Sequence, residues 1–331
     1  MADSIPDVEA RGKAFADTFG RVRAEIGKTI VGNDEIVEGV LVALLAGGHV
    51  LLEGLPGLGK TKLVQTVAGA LDLDFRRIQF TPDLMPADIV GTTILNEDEA
   101  GKRSFEFQRG PVFANVVLTD EINRATPKTQ SALLEAMQEG RVTVAGTTHP
   151  LPQPFFVLAT QNPIELEGTY PLPEAQLDRF MLKLLVPGGD LAGLVTILER
   201  TTGEREAPPA RMATQAQLLE MRELARRVPA AKPVTEYAAR LVLATQPGQP
   251  EATEAVKSYV KFGASPRGAQ ALLLCGKVLA LARGRFHVAI EDLRALAKPV
   301  LRHRLILNFD GEAAGIRADQ VLDEVLARLK P

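Results

Sequence analysis

Residues 54–61 combine glycines, a lysine and a threonine in a spacing that suits the binding of a phosphate chain. The segment reads Gly-Leu-Pro-Gly-Leu-Gly-Lys-Thr and follows an apolar run at residues 50–52. The glycines let backbone N–H groups turn toward an anion without collisions of Cβ atoms. Lys60 would reach the terminal phosphates of a nucleoside triphosphate, and the Thr61 hydroxyl would bind Mg²⁺. The pattern therefore predicts a phosphate-binding loop.

A helix predicted at residues 60–70 begins inside this loop, so its positive end faces the same anion. The alternative is a glycine-rich turn with no ligand, which requires strand, loop and helix to follow one another by chance. We assign binding of a nucleoside triphosphate to Gly54, Pro56, Gly57, Gly59, Lys60, Thr61 and Lys62.

Two other apolar runs end in polar residues. Residues 116–119 lead into Asp120 and Glu121. Beside a phosphate loop, Asp120 would bind the Mg²⁺ and Glu121 would polarise the attacking water, although an isolated acidic pair is commonly a solvated turn. Residues 155–160 lead toward Asn162, which could contact the γ-phosphate or orient the water. The alternative for Asn162 is a turn residue ahead of Pro163.

Two arginines could stabilise charge on a transferring phosphoryl group. Arg179 follows a short predicted helix, and in a ring it would act on the nucleotide of a neighbouring subunit. Arg267 lies in the first turn of a helix capped by Ser265, where the helix dipole disfavours a cation unless an anion is near. The alternatives are a surface pair of Asp178 with Arg179, and an exposed Arg267 without a role.

The composition describes an ordinary globular protein. The chain has 331 residues, of which 46% are hydrophobic and 24% charged, so it can bury the cores of two domains. A net charge of −3 argues against binding nucleic acid through a global field, although a local basic loop remains open. Four scattered histidines and a single cysteine, Cys275, argue against a dedicated metal site and favour a reducing compartment. Neither a signal peptide nor a membrane span is visible, so we expect a cytoplasmic protein.

Apolar runs alternate with helical patterns up to residue 187, and helical patterns dominate afterwards. The first region predicts a doubly wound α/β fold with a parallel sheet, and the second predicts an all-α domain. The expected division is a helical lead-in at 1–30, a nucleotide-binding α/β domain at 31–187 and an all-α domain at 190–331. Strands are predicted at 50–52, 75–80, 116–119, 155–160 and 181–185, and helices at 14–26, 34–45, 126–138, 191–201, 215–227, 235–245, 266–282, 290–300 and 318–329.

Together these motifs resemble the AAA+ ATPases, and within them the MoxR family of the helix-two-insert branch. The resemblance extends from about residue 30 to residue 307. Residues 54–61 resemble the Walker A motif, and Asp120 with Glu121 resembles Walker B. Asn162 resembles sensor 1, Arg179 the arginine finger and Arg267 sensor 2. The sequence is similar to that of the family in four segments: Thr-Asp-Glu-Ile-Asn-Arg-Ala at 119–125, Ala-Thr-Gln-Asn-Pro at 159–163, Leu-Pro-Glu-Ala-Gln-Leu-Asp-Arg-Phe at 172–180 and Ala-Ser-Pro-Arg at 264–267.

The resemblance implies a homo-hexameric ring with ATP and Mg²⁺ at each subunit interface and the helical domain as a lid. It also implies that residues 30–32, with Val31 at their centre, lie near the adenine. Arg124 is a candidate second interfacial arginine, and the sequence does not decide between Arg124 and Arg179. Gln79 is expected to hold Glu121 off the water until a partner binds.

Two hairpins are predicted, one from 91–95 and 104–108 and the other from 141–144 and 147–151. In the proteins that this chain resembles, such hairpins lie where the ring handles its client. Phe105 and Phe107 either pack within the first hairpin or contact that client. The packing interpretation is the expectation here.

The resemblance implies an ATP-driven motor that remodels or matures partner proteins in a chaperone-like way. Metalloenzyme assembly and partners with a von Willebrand factor A domain are associated with such proteins. One alternative is a motor that acts on nucleic acid or in transcription; the mild acidity and the lack of a recognisable DNA-binding domain argue against it. Another is a nucleotide-gated scaffold with little turnover, against which Asp120, Glu121 and Asn162 argue.

Overall fold

The structure is a computed structural model that describes residues 5–97, 103–162, 168–189, 191–203 and 207–330. Residues 98–101 of the first predicted hairpin turn, Pro163 and Asp190 lie outside these ranges. Among the helices of the described ranges, none combines the length and the apolar character that crossing a bilayer requires.

The first half of the chain contains helices on both sides of a sheet, together with two hairpins. Its elements are α1 (Ile5–Thr29), α2 (Asp34–Ala46), β1 (Val50–Glu53), α3 (Lys60–Ala70), β2 (Phe75–Gln79), α4 (Pro86–Val90), β3 (Gly91–Glu97), β4 (Arg103–Arg109), β5 (Val116–Asp120), α5 (Pro127–Glu139), β6 (Arg141–Val144), β7 (Thr147–Pro150), β8 (Phe156–Gln161), α6 (Glu174–Leu177) and β9 (Leu182–Leu185). The five predicted strands and the two predicted hairpins are all present.

Five of these strands form one parallel sheet in the order β2, β5, β8, β1, β9. β5 is buried along its whole length, and β1 and β8 are buried except for their last residue. Burial on both faces explains why their sequences are apolar throughout instead of alternating. Because the strands are parallel, the chain leaves β1, β5 and β8 at the same edge of the sheet. Ligands bind at this carboxyl edge in folds of this kind.

The C-terminal part is mainly helical, as predicted. Its elements are α7 (Leu191–Thr202), α8 (Gln215–Arg227), α9 (Lys232–Leu243), α10 (Glu254–Tyr259), β10 (Val260–Phe262), α11 (Pro266–Ala282), α12 (Ile290–Leu301), β11 (Ile306–Leu307), α13 (Phe309–Ala313) and α14 (Ala318–Arg328). β10 and β11 form a small antiparallel sheet that the sequence did not predict. Strands of three and two residues are too short to show a period of two.

The two domains share a hydrophobic core. α1, α2 and α3 pack against one face of the sheet and, in the same cluster, against α8, α11 and α12. α5 covers the other face of the sheet in a second cluster. Cys275 on α11 is fully buried in the shared core, which raises the pKa of its thiol to about 12 and makes it a packing residue.

The two hairpins meet through an aromatic cluster. The Phe107 ring on β4 stacks on the His149 ring on β7, with 4.0 Å between centroids, and contacts the Phe113 ring edge-on. Phe105 is different, since it is 79% exposed and lies opposite Leu95, which is 53% exposed. The packing interpretation therefore holds for Phe107 and is wrong for Phe105.

His49 ties the sheet to α5 just before β1. Its Nδ1 accepts a hydrogen bond from the Val157 N–H, so its Nε2–H donates to the Met137 carbonyl; both distances are 3.0 Å. Both contacts require a neutral ring in one tautomer. Burial is the main cause that lowers the pKa of His49 to about 4.

This shift predicts a pH-dependent stability. An unfolded histidine titrates near pH 6.5, so the unfolded chain binds a proton below that pH that the folded chain refuses until about pH 4. The stability is present above pH 6.5 and is lost as the pH falls toward 4. Chemical unfolding at pH 7.5 and pH 5 should show that the unmodified protein loses about 2 kcal/mol more than His49→Gln does. Equal losses in both proteins would remove His49 as the cause.

Candidate nucleotide site

The glycine-rich loop lies between β1 and α3, as predicted. Gly57 and Gly59 have φ angles of 82° and 74°, in the left-handed region that glycine adopts without strain. The Lys60 ammonium donates to the Gly54 carbonyl at 2.5 Å, so its side chain lies along the inside of the loop. Burial lowers the pKa of Lys60, and the charges of Asp120 and Glu121 oppose that shift. The lysine therefore lies within the field of both carboxylates.

A cavity of about 980 Å³ adjoins the loop. Gly57, Gly59, Lys60 and Lys62 form its polar end. The rest is formed by the connection between α1 and α2, the chain after β9, and α7; it includes the apolar side chains of Ile30, Val31, Ile36, Leu194 and Ile197. An apolar wall beside a phosphate loop suits a base and its phosphates. Val31, predicted near the adenine, lies in that wall.

The acidic residues lie one strand beyond β8, at the same edge of the sheet. Asp120 is 8% exposed, and its Oδ1 accepts from the Thr160 hydroxyl at 3.2 Å. The same hydroxyl accepts from the Glu121 N–H at 2.9 Å, so Thr160 links the Asp120 carboxylate to the backbone of Glu121. Arg77 Nε lies 2.6 Å from the other oxygen of Asp120. No sequence pattern singles out Thr160 or Arg77, because their contacts with the acids depend on the order of the strands.

Glu121 is held by two donors. The Gln79 side-chain amide donates to Glu121 Oε2 at 2.9 Å, and Arg124 Nη1 lies 3.0 Å from the same oxygen. The backbone of Glu121 has a φ of 56°, in the left-handed region that a non-glycine residue adopts at a cost of about 1–2 kcal/mol. The expected contact between Gln79 and Glu121 is present, and Arg124 contacts its own chain's Glu121.

Asn162 follows β8 and is 8% exposed. The Gly54 N–H donates to the carbonyl of the preceding residue, Gln161, at 3.4 Å, which joins the start of the loop to the end of β8. Four predicted residues, Lys60, Asp120, Glu121 and Asn162, are thus brought together at one edge of the sheet.

Arg179 and Arg267 lie at the opposite edge. Arg179 precedes β9, and the Met181 N–H donates to the His49 carbonyl just before β1 begins. A strand of four residues spans about 13 Å, so the length of β1 separates Arg179 from the phosphate loop of its own chain. Arg267 Nε is 4.0 Å from Asp178 Oδ2, and both arginines line one groove of about 210 Å³. The structure therefore groups Arg267 with Arg179 and not with Lys60.

Comparisons with known proteins identify the family of this chain. A family model described as the ATPase family associated with various cellular activities matches residues 49–182, and the AAA lid domain matches residues 252–325. Chaperone MoxR1 of Mycobacterium tuberculosis is 45% identical over 98% of this chain and 85% of its own. Protein MoxR of Methylorubrum extorquens is 32% identical over 88% of this chain and 89% of its own. The crystal structure of a candidate ATPase from Cytophaga hutchinsonii has a TM-score of 0.90 at 40% identity and covers 97% of both chains.

The parallel sheet, the phosphate loop after β1 and the helical lid define the AAA+ class of P-loop ATPases. The similarity to the MoxR proteins runs along almost the whole chain. The chain belongs to the MoxR family of AAA+ ATPases.

Proposed function

We propose that the chain binds ATP with Mg²⁺ in the cavity beside the phosphate loop and hydrolyses it. The observation that supports this most directly is that Lys60, two carboxylates and Asn162 meet at one edge of the sheet. In the proposed reaction Lys60 neutralises charge on the β- and γ-phosphates. Glu121 accepts a proton from the attacking water, and Asn162 orients that water or contacts the γ-phosphate.

The donor set suits Mg²⁺, which prefers oxygen ligands and keeps several waters. The Thr61 hydroxyl in the first turn of α3 and the Asp120 carboxylate would hold the ion. When bound, Mg²⁺ would neutralise charge that develops on the phosphates. Arg77 occupies one oxygen of Asp120 in this structure, and its half-exposed side chain can move into solvent when the ion binds.

Two arginines at the far edge of the sheet support a site shared between subunits. Arg179 and Arg267 cannot reach the phosphates in their own chain, because β1 lies between them and Lys60. A second copy that presents this edge to the cavity would supply both positive charges. We therefore propose a closed homo-oligomeric ring, a hexamer by resemblance to other AAA+ proteins.

The partner of the ring is proposed to be a client protein, handled in a chaperone-like way. Support comes from Leu95 and Phe105, which lie opposite each other on the β3–β4 hairpin and expose apolar side chains that a client would cover. Metalloenzymes or proteins with a von Willebrand factor A domain are the client and partner classes proposed from the resemblance. One relative is named a chaperone, which agrees with this proposal.

The client proposal predicts the behaviour of a trapped ring. A ring carrying Glu121→Gln, saturated with ATP, should hold its client during affinity purification. Adding Phe105→Ser should reduce the amount of recovered client by about five- to tenfold. This corresponds to a loss of about 1–1.5 kcal/mol for an aromatic ring that the client buries on binding. Thr143→Ser on the other hairpin is the matched control. Undiminished recovery after Phe105→Ser would exclude this hairpin face as the client contact.

The nucleotide proposal predicts the effect of removing Lys60. Calorimetry with Mg²⁺ should show Lys60→Ala binding ATP about ten- to hundredfold more weakly, since a hydrogen-bonded charge on the phosphates contributes about 1.5–3 kcal/mol. Lys298→Ala removes a surface lysine that pairs with Asp323 and should bind normally. Failure of the unmodified protein to bind any adenine nucleotide would contradict the whole proposal.

A further inference from the structure

We propose that Asp178 and Arg304 are positioning residues, which hold Arg179 and Arg267 in one fixed arrangement for delivery to a neighbouring subunit's nucleotide. The inference rests on the proposed function, because it takes both arginines as acting between subunits. The two arginines belong to different parts of the chain: Arg179 precedes β9 of the sheet, and Arg267 lies in the first turn of α11 of the helical lid. The structure assigns the task of fixing their relative positions to an ion pair between the buried Arg304 and the partly buried Asp178.

Arg304 holds the backbone on both sides of Arg179. Its side chain is 3% exposed, and its Nη2 donates to the carbonyls of Asp178 at 3.2 Å and Phe180 at 2.8 Å. Its Nη1 donates to the Met181 carbonyl at 3.3 Å. A planar guanidinium that contacts three carbonyls within four residues leaves the intervening peptide little freedom. Arg179 is therefore presented from a backbone that the lid itself fixes.

Asp178 extends the same contact to the second arginine. Its Oδ1 pairs with Arg304 Nε at 2.8 Å. Its Oδ2 accepts from the Ser265 hydroxyl at 2.9 Å and lies 4.0 Å from Arg267 Nε. Ser265 is the N-cap of α11, and its hydroxyl also accepts from the Arg267 N–H. One carboxylate thus bridges the turn at Arg304, the start of α11 and the segment that carries Arg179.

The chemistry of the pair favours a positioning role over a purely stabilising one. The free energy needed to remove a guanidinium and a carboxylate from water is about as large as the free energy gained from their attraction. Such pairs therefore contribute little net stability. They do impose directional geometry, because each partner must be met at a hydrogen-bonding distance. Displacing a catalytic group by about 1 Å can lower a rate about a hundredfold. A phosphate site shared between subunits therefore requires that both arginines are held in fixed positions.

The first test separates turnover from binding. Asp178→Asn should lower the turnover of ATP in the ring about ten- to hundredfold. Its affinity for ATP should stay unchanged, because the phosphate loop lies at the other edge of the sheet. Asp319→Asn is the matched control: Asp319 makes two 2.9 Å contacts with Arg302 in the lid and is not paired with Arg179 or Arg267. The control should keep normal turnover, and normal turnover of Asp178→Asn would overturn the inference.

The second test uses mixed rings, because mixing with other subunits would not rescue a merely structural defect. Lys60→Ala subunits have lost their own phosphate contact but still carry intact arginines. Mixing them with Asp178→Asn subunits should restore more turnover than the two give separately, because each intact arginine pair then serves a neighbour's loop. Arg304→Lys, which keeps the charge but loses the forked contacts, should complement in the same way and replaces Asp178→Asn if that variant does not fold.

A mixture of Arg179→Ala and Lys60→Ala subunits tests the shared site separately from the positioning role. If that mixture recovers turnover and the Asp178→Asn and Arg304→Lys mixtures do not, the shared site stands and the positioning role is overturned. If none of the mixtures recovers turnover, the shared site fails and the positioning role fails with it. Recovery in all of them supports both.

Discussion

Glu121→Gln is expected to lower the turnover of ATP about 10²- to 10⁴-fold, the usual contribution of a positioned general base. The amide has nearly the same shape and keeps hydrogen bonds, but it cannot accept the proton of the attacking water. Its affinity for ATP should remain, because Lys60 and the loop glycines are untouched. Phosphate release at saturating ATP, measured beside calorimetric binding, checks both halves of the expectation.

Two companion variants sharpen this experiment. Glu236→Gln makes the same chemical change on an exposed residue of α9 that pairs only loosely with Lys232, and it should leave turnover normal. Gln79→Ala removes one of the two donors to Glu121 without altering the carboxylate, so turnover should be retained or raised. Unchanged hydrolysis by Glu121→Gln would exclude its assigned role. Negligible turnover in the unmodified protein would favour a nucleotide-gated scaffold.

Arg179→Ala is expected to have the largest effect, a loss of about 10³- to 10⁵-fold in turnover by the assembled ring. The arginine would supply the charge that stabilises the transferring phosphoryl group of the adjoining subunit. Binding of ATP should persist, since Arg179 is separated from its own phosphate loop by the length of β1. Steady-state turnover, measured on rings whose assembly is verified by light scattering, gives the result.

The control for this prediction is Arg240→Ala, which removes an exposed arginine that pairs with Glu251 on the lid. Arg124→Ala tests the competing candidate for the interfacial arginine. Arg124 contacts Glu121 of its own chain, so its loss should disturb the proposed general base rather than the nucleotide of a neighbouring subunit. Full activity of Arg179→Ala in an assembled ring would refute the assignment.

Much of the fold could be predicted from the sequence, because its signals are local. The apolar runs at β1, β5 and β8 reflect strands buried on both faces, and the paired hairpin segments at 91–108 and 141–151 show strand patterns with turn residues between them. The short β10–β11 pair was missed, since so few residues carry no period. Phe105 was assigned to packing because the sequence does not tell which face of an isolated hairpin is covered.

At the nucleotide site, too, some features could be predicted from the sequence and others depend on the tertiary structure. The sequence alone predicted which residues would carry the chemistry, because glycines, a lysine and carboxylates at this spacing beside buried strands are typical of a nucleotide site. Only the tertiary structure decided which of them meet: the strand order brings Thr160 to both acids, and the placement of the lid joins Arg267 to Arg179 instead of Lys60. The spacing of residues along the sequence determines which of them are neighbours within one helix, strand or loop. Contacts between distant segments depend on how whole elements pack, and no single segment encodes that.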